Sequence, residues 1–383
     1  MWKVYVNGTI FSTSDSSELA IGNPTLTYEL NKSASFTFLV SANHPRRDSL
    51  EARKSTVQVV DTDSTPDSVL FRGIVRSIRE TFYGSLEVTC SDRLIFLDDS
   101  VQRPAVYQDV SGYGFESMMN TIIANHNSQV DSAKQFSNTF PAVDEMDFEV
   151  KANYETTLQL MTSIANKYGT KFWYDSINDT LILGSVLSPT QPPAAVPTLI
   201  LGANILDLAI ETEALDLCTR LIPLGAKTGT QTVPGIDDRL TIASVNGGLD
   251  YIDSALTSQY GVITRTVVFD DVTTATRLLR YGNKYLNTAQ YESVTYDIKV
   301  ADLYKATYDF WAHTPFPSRF DVGAYYELLF PPKSLNIRML LTKKTQSLDD
   351  PTKNVLTFGF KSIEPITAQT AKLNNSAAQA QVN

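Results

Sequence analysis

Histidine is nearly absent from this 383-residue chain: His44, His126 and His313 are the only three. None stands at metal-ligand spacing from a cysteine or from another histidine, which leaves the common zinc patterns without ligands. Cysteine is scarcer still. Cys90 and Cys218 lie far apart, form no CxxC-type spacing, and read as buried thiols that act as small hydrophobes. Long apolar runs are lacking too, and no stretch nears the ~20 apolar residues needed to span a bilayer. Residues 1–10 alternate like a strand and lack the layout of a secretion signal, so a soluble protein made in a cytoplasm is expected. Basic residues are outnumbered, 32 against 42 acidic, for a net charge of −10. Tight binding to nucleic-acid phosphates needs clustered Lys and Arg, so that class is excluded. The acidity fits plain solubility, and equally a surface along which DNA slides.

Catalytic motifs are missing in the same way. There is no HExxH, GxSxG or P-loop. Gly112-Tyr113-Gly114 comes closest to a dinucleotide fingerprint, but Ser117 stands where the third glycine belongs. The carboxylate doublets Asp98-Asp99, Asp237-Asp238, Asp270-Asp271 and Asp349-Asp350 sit at element boundaries, where Asp caps helices or opens turns. Adjacent acids on a strand point to opposite faces, which does not aim a pair at one bond. His126 lies on the apolar stripe of a helix and reads as a core or helix-end residue. His313 lies in the loop-like Trp311-Ala312-His313-Thr314-Pro315. No catalytic, cofactor-binding or metal-binding residue is assigned, and no cofactor is expected.

What the chain does have is β pattern. Hydrophobic residues make up 43% and charged residues 19%, a folded composition, and the length predicts about two to four domains. Trp2–Val6 alternates, Asn7-Gly8 supplies a hairpin turn, and Thr9–Phe11 resumes. Strands are also predicted at 35–40, 56–60, 69–75 and 86–90, the spacing of a closed or half-closed barrel. After Asp98-Asp99 the period changes. Phe115, Met118, Met119, Ile122, Ile123 and His126 form one stripe of an amphipathic helix. A second helix is expected from about Tyr154, with Leu158, Met161, Ile164, Ala165 and Tyr168 on one face and Gly169 as its stop. A hairpin at 171–174 and 180–184 completes a small α+β unit, and 188–193 reads as a linker.

Strand character returns at 198–201 and 219–225, followed by an exposed loop to Arg239. A second interruption starts near Val245–Gly248. It is expected to hold a short helix at 253–260 stopped by Gly261, a strand at 263–269, and a helix carrying Leu278, Leu279, Tyr285, Leu286 and Ala289 with Asp271 as N-cap. Strands at 293–301, 325–330, 336–342 and 354–360 close the pattern. Residues 367–383, rich in Ala, Gln and Asn, read as a flexible tail or the start of a helical extension.

Several segments resemble the gp27-like hub family of tailed phages. That family takes in the N-terminal regions of tail-associated lysins and prophage endopeptidase tail proteins, and the baseplate hubs of lactococcal-type siphophages. Arg220-Leu221-Ile222-Pro223-Leu224-Gly225 resembles the strand re-entering the second barrel. Asn246-Gly247-Gly248, Tyr251-Ile252 and Tyr260-Gly261 resemble a glycine-to-tyrosine passage of that family. Val294–Ile298 with Ala301-Asp302-Leu303 resembles a strand ending in an Asp-Leu pair. Asp321–Leu328, Leu340–Thr342 and Ser347–Pro351 resemble the closing barrel strands, and Thr157–Gly169 with Phe172–Asp175 the inserted helix-hairpin unit. The order of the segments is more specific than any one of them.

The resemblance implies a mainly β fold with α+β insertions, in which two tube-forming antiparallel β-barrel domains are decorated by small α+β domains. The expected division is 1–98 (first barrel), 99–195 (inserted α+β domain), 196–245 with 293–365 (second barrel), 246–292 (second α/β insertion) and 366–383 (tail). The implied role is a structural hub of a phage tail tip or baseplate. Three chains present six similar barrels, cap the tail tube below the distal tail protein ring and gate the DNA exit channel. Expected partners are a homotrimer, that ring, the tape measure protein and other baseplate proteins, with DNA passing unbound. The expected location is the virion tail tip, after synthesis in the host bacterial cytoplasm. Longer relatives carry lytic domains, and this sequence ends soon after the second barrel, so no enzyme is expected. The alternatives are a cell-wall-degrading tail enzyme, or a carbohydrate-binding module using Trp173 or Trp311 as a stacking platform.

Overall fold

The structure is a computed structural model that describes residues 1–62, 67–110, 113–139, 148–168, 170–184, 198–201, 205–270, 272–300, 320–333 and 335–359. Seven strands make the first part: β1 Trp2–Val6, β2 Thr9–Thr13, β3 Gly22–Glu29, β4 Ser35–Val40, β5 Thr56–Asp61, β6 Ser68–Glu80 and β7 Leu86–Asp92. The β1–β2 turn is the one the sequence announces. Asn7 and Gly8 have φ of 50° and 77°, the left-handed pair that a two-residue hairpin requires. Alternation places Trp2, Val4 and Val6 inward, together with Phe36, Phe38 and Val40, in a core that also holds Phe11, Phe71, Val88 and Cys90.

The next elements are β8 Ala105–Gln108, α1 Phe115–Asn127, β9 Asn138–Thr139, β10 Glu149–Ala152, α2 Thr157–Tyr168, β11 Lys171–Asp175 and β12 Thr180–Gly184. The α1 stripe is buried as its spacing requires, from Phe115 through His126. Helix α2 starts at Thr157 and not near Tyr154, because Tyr154 is left-handed at φ 67° and cannot continue a helix backwards. The linker at 188–193 lies outside the described residues, as do Gly169 and the tail at 367–383.

The remaining elements are β13 Thr198–Ile200, β14 Ile205–Glu213, β15 Arg220–Leu224, β16 Ile252–Asp253, α3 Thr257–Tyr260, β17 Thr264–Val268, α4 Ala275–Ala289, β18 Ser293–Val300, β19 Tyr325–Phe330, β20 Leu335–Ser347 and β21 Val355–Gly359. Arg220–Leu224, expected as a strand of the second barrel, pairs instead with β16 and β17 in a separate three-stranded sheet. Its apolar residue Leu221 packs with Cys218 and Leu286 of that insertion. Helix α4 begins at Ala275; Asp271, expected as its N-cap, lies outside the described residues.

The fold is mainly β and curled, as the resemblance implies. One 13-stranded sheet, almost wholly antiparallel, runs β14-β18-β21-β20-β3-β4-β7-β6-β5-β1-β2, with β19 and β13 branching from β20. It contains the same arrangement twice. The first half runs β3-β4-β7-β6-β5-β1, and the second runs β14-β18-β21-β20-β19-β13 in the same relative chain order. β6 and β20 each have 13 residues. Each carries a bulge at the same place, between Val75 and Ser77 opposite β7 and between Leu341 and Lys343 opposite β21. A bulge bends a strand and sharpens its twist, so the two halves curl alike. They differ at one pairing: β1 runs antiparallel to β5, β13 parallel to β19. The second insertion also replaces, between β14 and β18, the short β3–β4 turn.

The halves meet edge to edge. β20 outruns β19, and its last residues, Lys343–Ser347, pair antiparallel with β3. Beyond the strand, the Leu348 amide donates to Pro24 O at 2.9 Å, Trp2 Nε1 donates to Leu348 O at 3.1 Å, and the Leu348 side chain packs on the first core. The two insertions also share a core, in which Tyr281 of α4 meets Tyr168 of α2 edge-on, ring centroids 6.1 Å apart.

Candidate functional site

The histidines described are structural. His126 is fully buried; its Nδ1 lies 2.7 Å from Ser100 Oγ and its Nε2 3.2 Å from Lys134 O. A serine nucleophile needs a histidine whose other nitrogen is oriented by a carboxylate, and access for a substrate. Here a carbonyl closes one side, Ser100 is 1% exposed, and its hydroxyl also bonds Thr157 Oγ1 at 2.6 Å. Burial pushes the His126 imidazole below its ordinary range. His44 stacks on Phe11 at 4.5 Å and is lowered for the same reason. Cys90 and Cys218 are both buried, free thiols, and burial raises both. His313 and Trp311 lie outside the described residues.

The acidic doublets serve turns and ion pairs. Asp98 accepts from Thr156 Oγ1 at 2.8 Å, and Asp99 binds Arg53 and Lys134, both at 2.8 Å. Burial works upward on Asp99, yet those two cations hold it below the usual carboxylate range. Asp237 bonds Lys227, Asp238 bonds Thr230 and Thr232, Asp270 bonds Arg239, and Asp350 caps Thr352. Among the described residues no group of three or more His, Cys, Asp or Glu is placed to hold a metal.

Two of the cavities bounded by the described residues are open to solvent. One of about 850 Å³ lies between α2 and the second insertion, with Asp98, Gln159, Lys167, Asp270 and Tyr285 on its walls. The other, about 510 Å³, lies where the halves join, lined by Tyr28, Lys32, Asp92, Trp173 and Lys344 among others. Asp92 is its buried acid. Burial pushes it up to about 7, against hydrogen bonds from Ser33 Oγ and the Leu94 amide. Its carboxylate caps the 3-10 turn Arg93–Asp99 that leads from the first half into the first insertion. Trp173 is half-buried, packed on the cluster of Leu30, Tyr325 and Leu340 and against Gly323. It serves the joint between the halves, which is not the free ring a sugar platform needs.

The unsatisfied feature is the sheet's own margin. Beyond Val75 the outer edge of β6 has no strand partner among the described residues, because β5 ends its pairing at Ile74. Arg76, Ser77, Arg79 and Glu80 are exposed there. The hairpin tip adds Phe82 at 96% exposure and Tyr83 at 84%. The outer edge of β14 is open in the same sense from Leu206 to Glu213. It carries Asp207, Glu211 and Glu213 with no basic residue. Proteins usually blunt such edges, since free backbone donors and acceptors recruit strands. Neither edge has a proline. The sequence pattern points to neither edge: it predicts no strand at β14 and ends the β6 strand at residue 75.

Residues 195–365 match the family model described as prophage endopeptidase tail. Among curated proteins none is similar enough in sequence to match. Among solved structures, the chain resembles the tail protein from Neisseria meningitidis MC58 at 15% identity and a TM-score of 0.61, covering 96% of this chain and 99% of that one. It resembles the 43 kDa tail protein of prophage MuSo2 from Shewanella oneidensis at 14% and 0.60, again 96% and 99%. Prophage tail protein gp18 from Listeria monocytogenes EGD-e matches at 14% and 0.56, covering 97% and 98%. Over nearly its whole length, then, this chain has the fold of prophage tail proteins, and its second half matches the prophage endopeptidase tail family.

Proposed function

We propose that this chain is a structural component of a phage tail, a hub at the tail tip that works as a homotrimer. The observation that carries the reading is the doubled sheet: β3-β4-β7-β6-β5-β1 repeated as β14-β18-β21-β20-β19-β13. Two equivalent units in one chain let three chains present six similar faces, so a trimer can seat on a six-fold ring and narrow it to three-fold symmetry. The ring it would meet is that of the distal tail protein, with the tape measure protein and other baseplate proteins around it. DNA would leave through the axial channel, and a net charge of −10 favours sliding over binding. The hub would gate that channel.

In this reading the tube units are residues 1–98 and the strands flanking the second insertion, 196–213 and 293–365, with 214–292 as the decoration. The role is structural, not catalytic. Electron microscopy of the protein mixed with distal tail protein rings tests it: threefold density closing the rings supports a hub. Rings left bare, with peptide or sugar released from cell walls by the same preparation, would replace the hub with a lytic enzyme.

A further inference from the structure

We infer that neighbouring chains join by strand pairing between the free edge of β6 on one chain and the free edge of β14 on the next, in the register already used inside the chain between β20 and β3. The inference rests on the trimer reading and specifies its contact.

The two halves set the register. The matching bulges equate Val75 with Leu341 and Ser77 with Lys343, so Arg79 answers to Thr345, Glu80 to Gln346 and Phe82 to Leu348. Cys90 opposite Phe36 and Phe358 opposite Tyr296 equate those two positions on β4 and β18. Leu26 pairs with Phe36, and Ile210 with Tyr296, so β3 and β14 correspond through Leu26 and Ile210. Inside the chain Thr345 faces Thr27 and Gln346 faces Leu26. The same joint between chains places Arg79 opposite Glu211 and Glu80 opposite Ile210 of the neighbour. Ser77 then stands opposite the neighbour's Glu213.

Two observations independent of the register agree with it. The first is charge. Inside the chain Lys343 of the long strand faces Glu29 of the short one. Between chains, Arg76 and Arg79 of the β6 edge would approach the acidic β14, which carries Asp207, Glu211 and Glu213. Opposite charges directly across a strand pair stabilise it. The second is Phe82. Its counterpart Leu348 is packed onto the first core beside Trp2, whereas Phe82 stands 96% exposed. A neighbour's second half, set against β6 as β3 is set against β20, would cover it. Closed this way, every half-sheet has a neighbouring half-sheet on both sides around the ring.

The test is a cysteine pair in the full chain. Directly opposite residues in an antiparallel pair have Cα atoms ~4.5–5.5 Å apart, within the ~4.4–6.8 Å a disulfide bridges. Arg79→Cys with Glu211→Cys should therefore cross-link between subunits on mild oxidation. Arg79→Cys with Ala209→Cys, a diagonal ~7–8 Å pair, should cross-link far less. Cys90 and Cys218, being buried, do not interfere. Arg79→Glu and Glu211→Arg should each weaken the trimer at least about tenfold, and combining them should restore it, a rescue that general misfolding would not give. A trimeric mass with no cross-link at 79–211, or with the 79–209 pair the better one, overturns the pairing and leaves the trimer. A monomeric mass overturns both.

Discussion

Arg53 and Gly323 do the same work in the two halves of the sheet. Each sits in the left-handed region, at φ 65° and 91°. Each donates its amide to the carbonyl just before a bulge, Arg53 to Val75 O at 2.7 Å and Gly323 to Leu341 O at 2.8 Å. At Gly323 a Cβ would also meet Trp173 and Leu30 at 3.6 Å. Gly323→Ala is therefore expected to destabilise by about 1–2 kcal/mol, the strain of a left-handed side chain. Arg53→Gly should change stability by less than about 1 kcal/mol, because relief of strain is offset by unfolded-state entropy. Differential scanning calorimetry of the two variants checks the contrast.

Gly73 is the most closely approached glycine of the first half among the described residues. A Cβ there would lie 2.0 Å from Ser91 O and 2.8 Å from Asp92 Cα, both backbone atoms of β7. Backbone cannot move aside as a side-chain tip can. Gly73→Ala should cost about 3 kcal/mol or more, read as loss of soluble protein or a large fall in Tm.

Asp92 makes stability fall as pH rises from about 4 to about 7. Its folded pKa is raised to about 7 from an ordinary 3.8. Between those values the folded state holds a proton that the unfolded state has lost, so stability declines as pH climbs through this window. Asp92→Asn keeps acceptors for the Leu94 amide and Ser33 and removes the buried charge. The variant should melt above the parent at pH 8, by up to about 4 kcal/mol from a shift of about three units, and the gap should close near pH 4. His44 and His126 act in the opposite sense. Their lowered values mean that the unfolded state takes up protons first below about pH 6.5, and stability falls as pH drops. The Asp92→Asn variant should keep that acid slope, to which lowered carboxylates such as Asp99 add, without the decline between about pH 4 and 7.

An ion pair on the buried carboxylate of Glu149 helps tie the two insertions together. Arg277 Nη1 of α4 meets Glu149 Oε2 of β10 at 3.0 Å, and the Glu149 side chain is 2% exposed. Lys151 stands off at 3.9 Å. Arg277→Leu leaves the carboxylate buried with poor compensation and should cost about 3 kcal/mol. Arg277→Leu with Glu149→Leu should recover most of that loss. Chemical denaturation of the single and double variants measures the difference.

Much of the fold could be read locally. Asn7-Gly8 fixes a turn, and the stripe from Phe115 to His126 fixes α1, because both signals lie within a few residues. The strands with no clear local signature are the ones whose pattern is mixed. β3 opens with Gly22-Asn23-Pro24, which reads as a turn, and Asn23 does sit at φ 49°. β14 alternates through Leu206, Leu208 and Ile210, but three acids dilute it. The left-handed Arg53 has no local signature at all. Arg220–Leu224 meets β16 and β17 and not the large sheet, because its composition states that it is a strand and not which strand it meets. The candidate site shares that difficulty: a free edge is defined by what fails to pair with it, a relation set over long sequence separations.

A doubled sheet in one chain is proposed to assemble three at a time. Light scattering coupled to size exclusion measures it directly, on the protein alone and with distal tail protein rings. Three times the 42.4 kDa chain mass is expected, in solution or on the ring. A species that stays at one chain mass in both settings, with β6 and β14 still open, contradicts it.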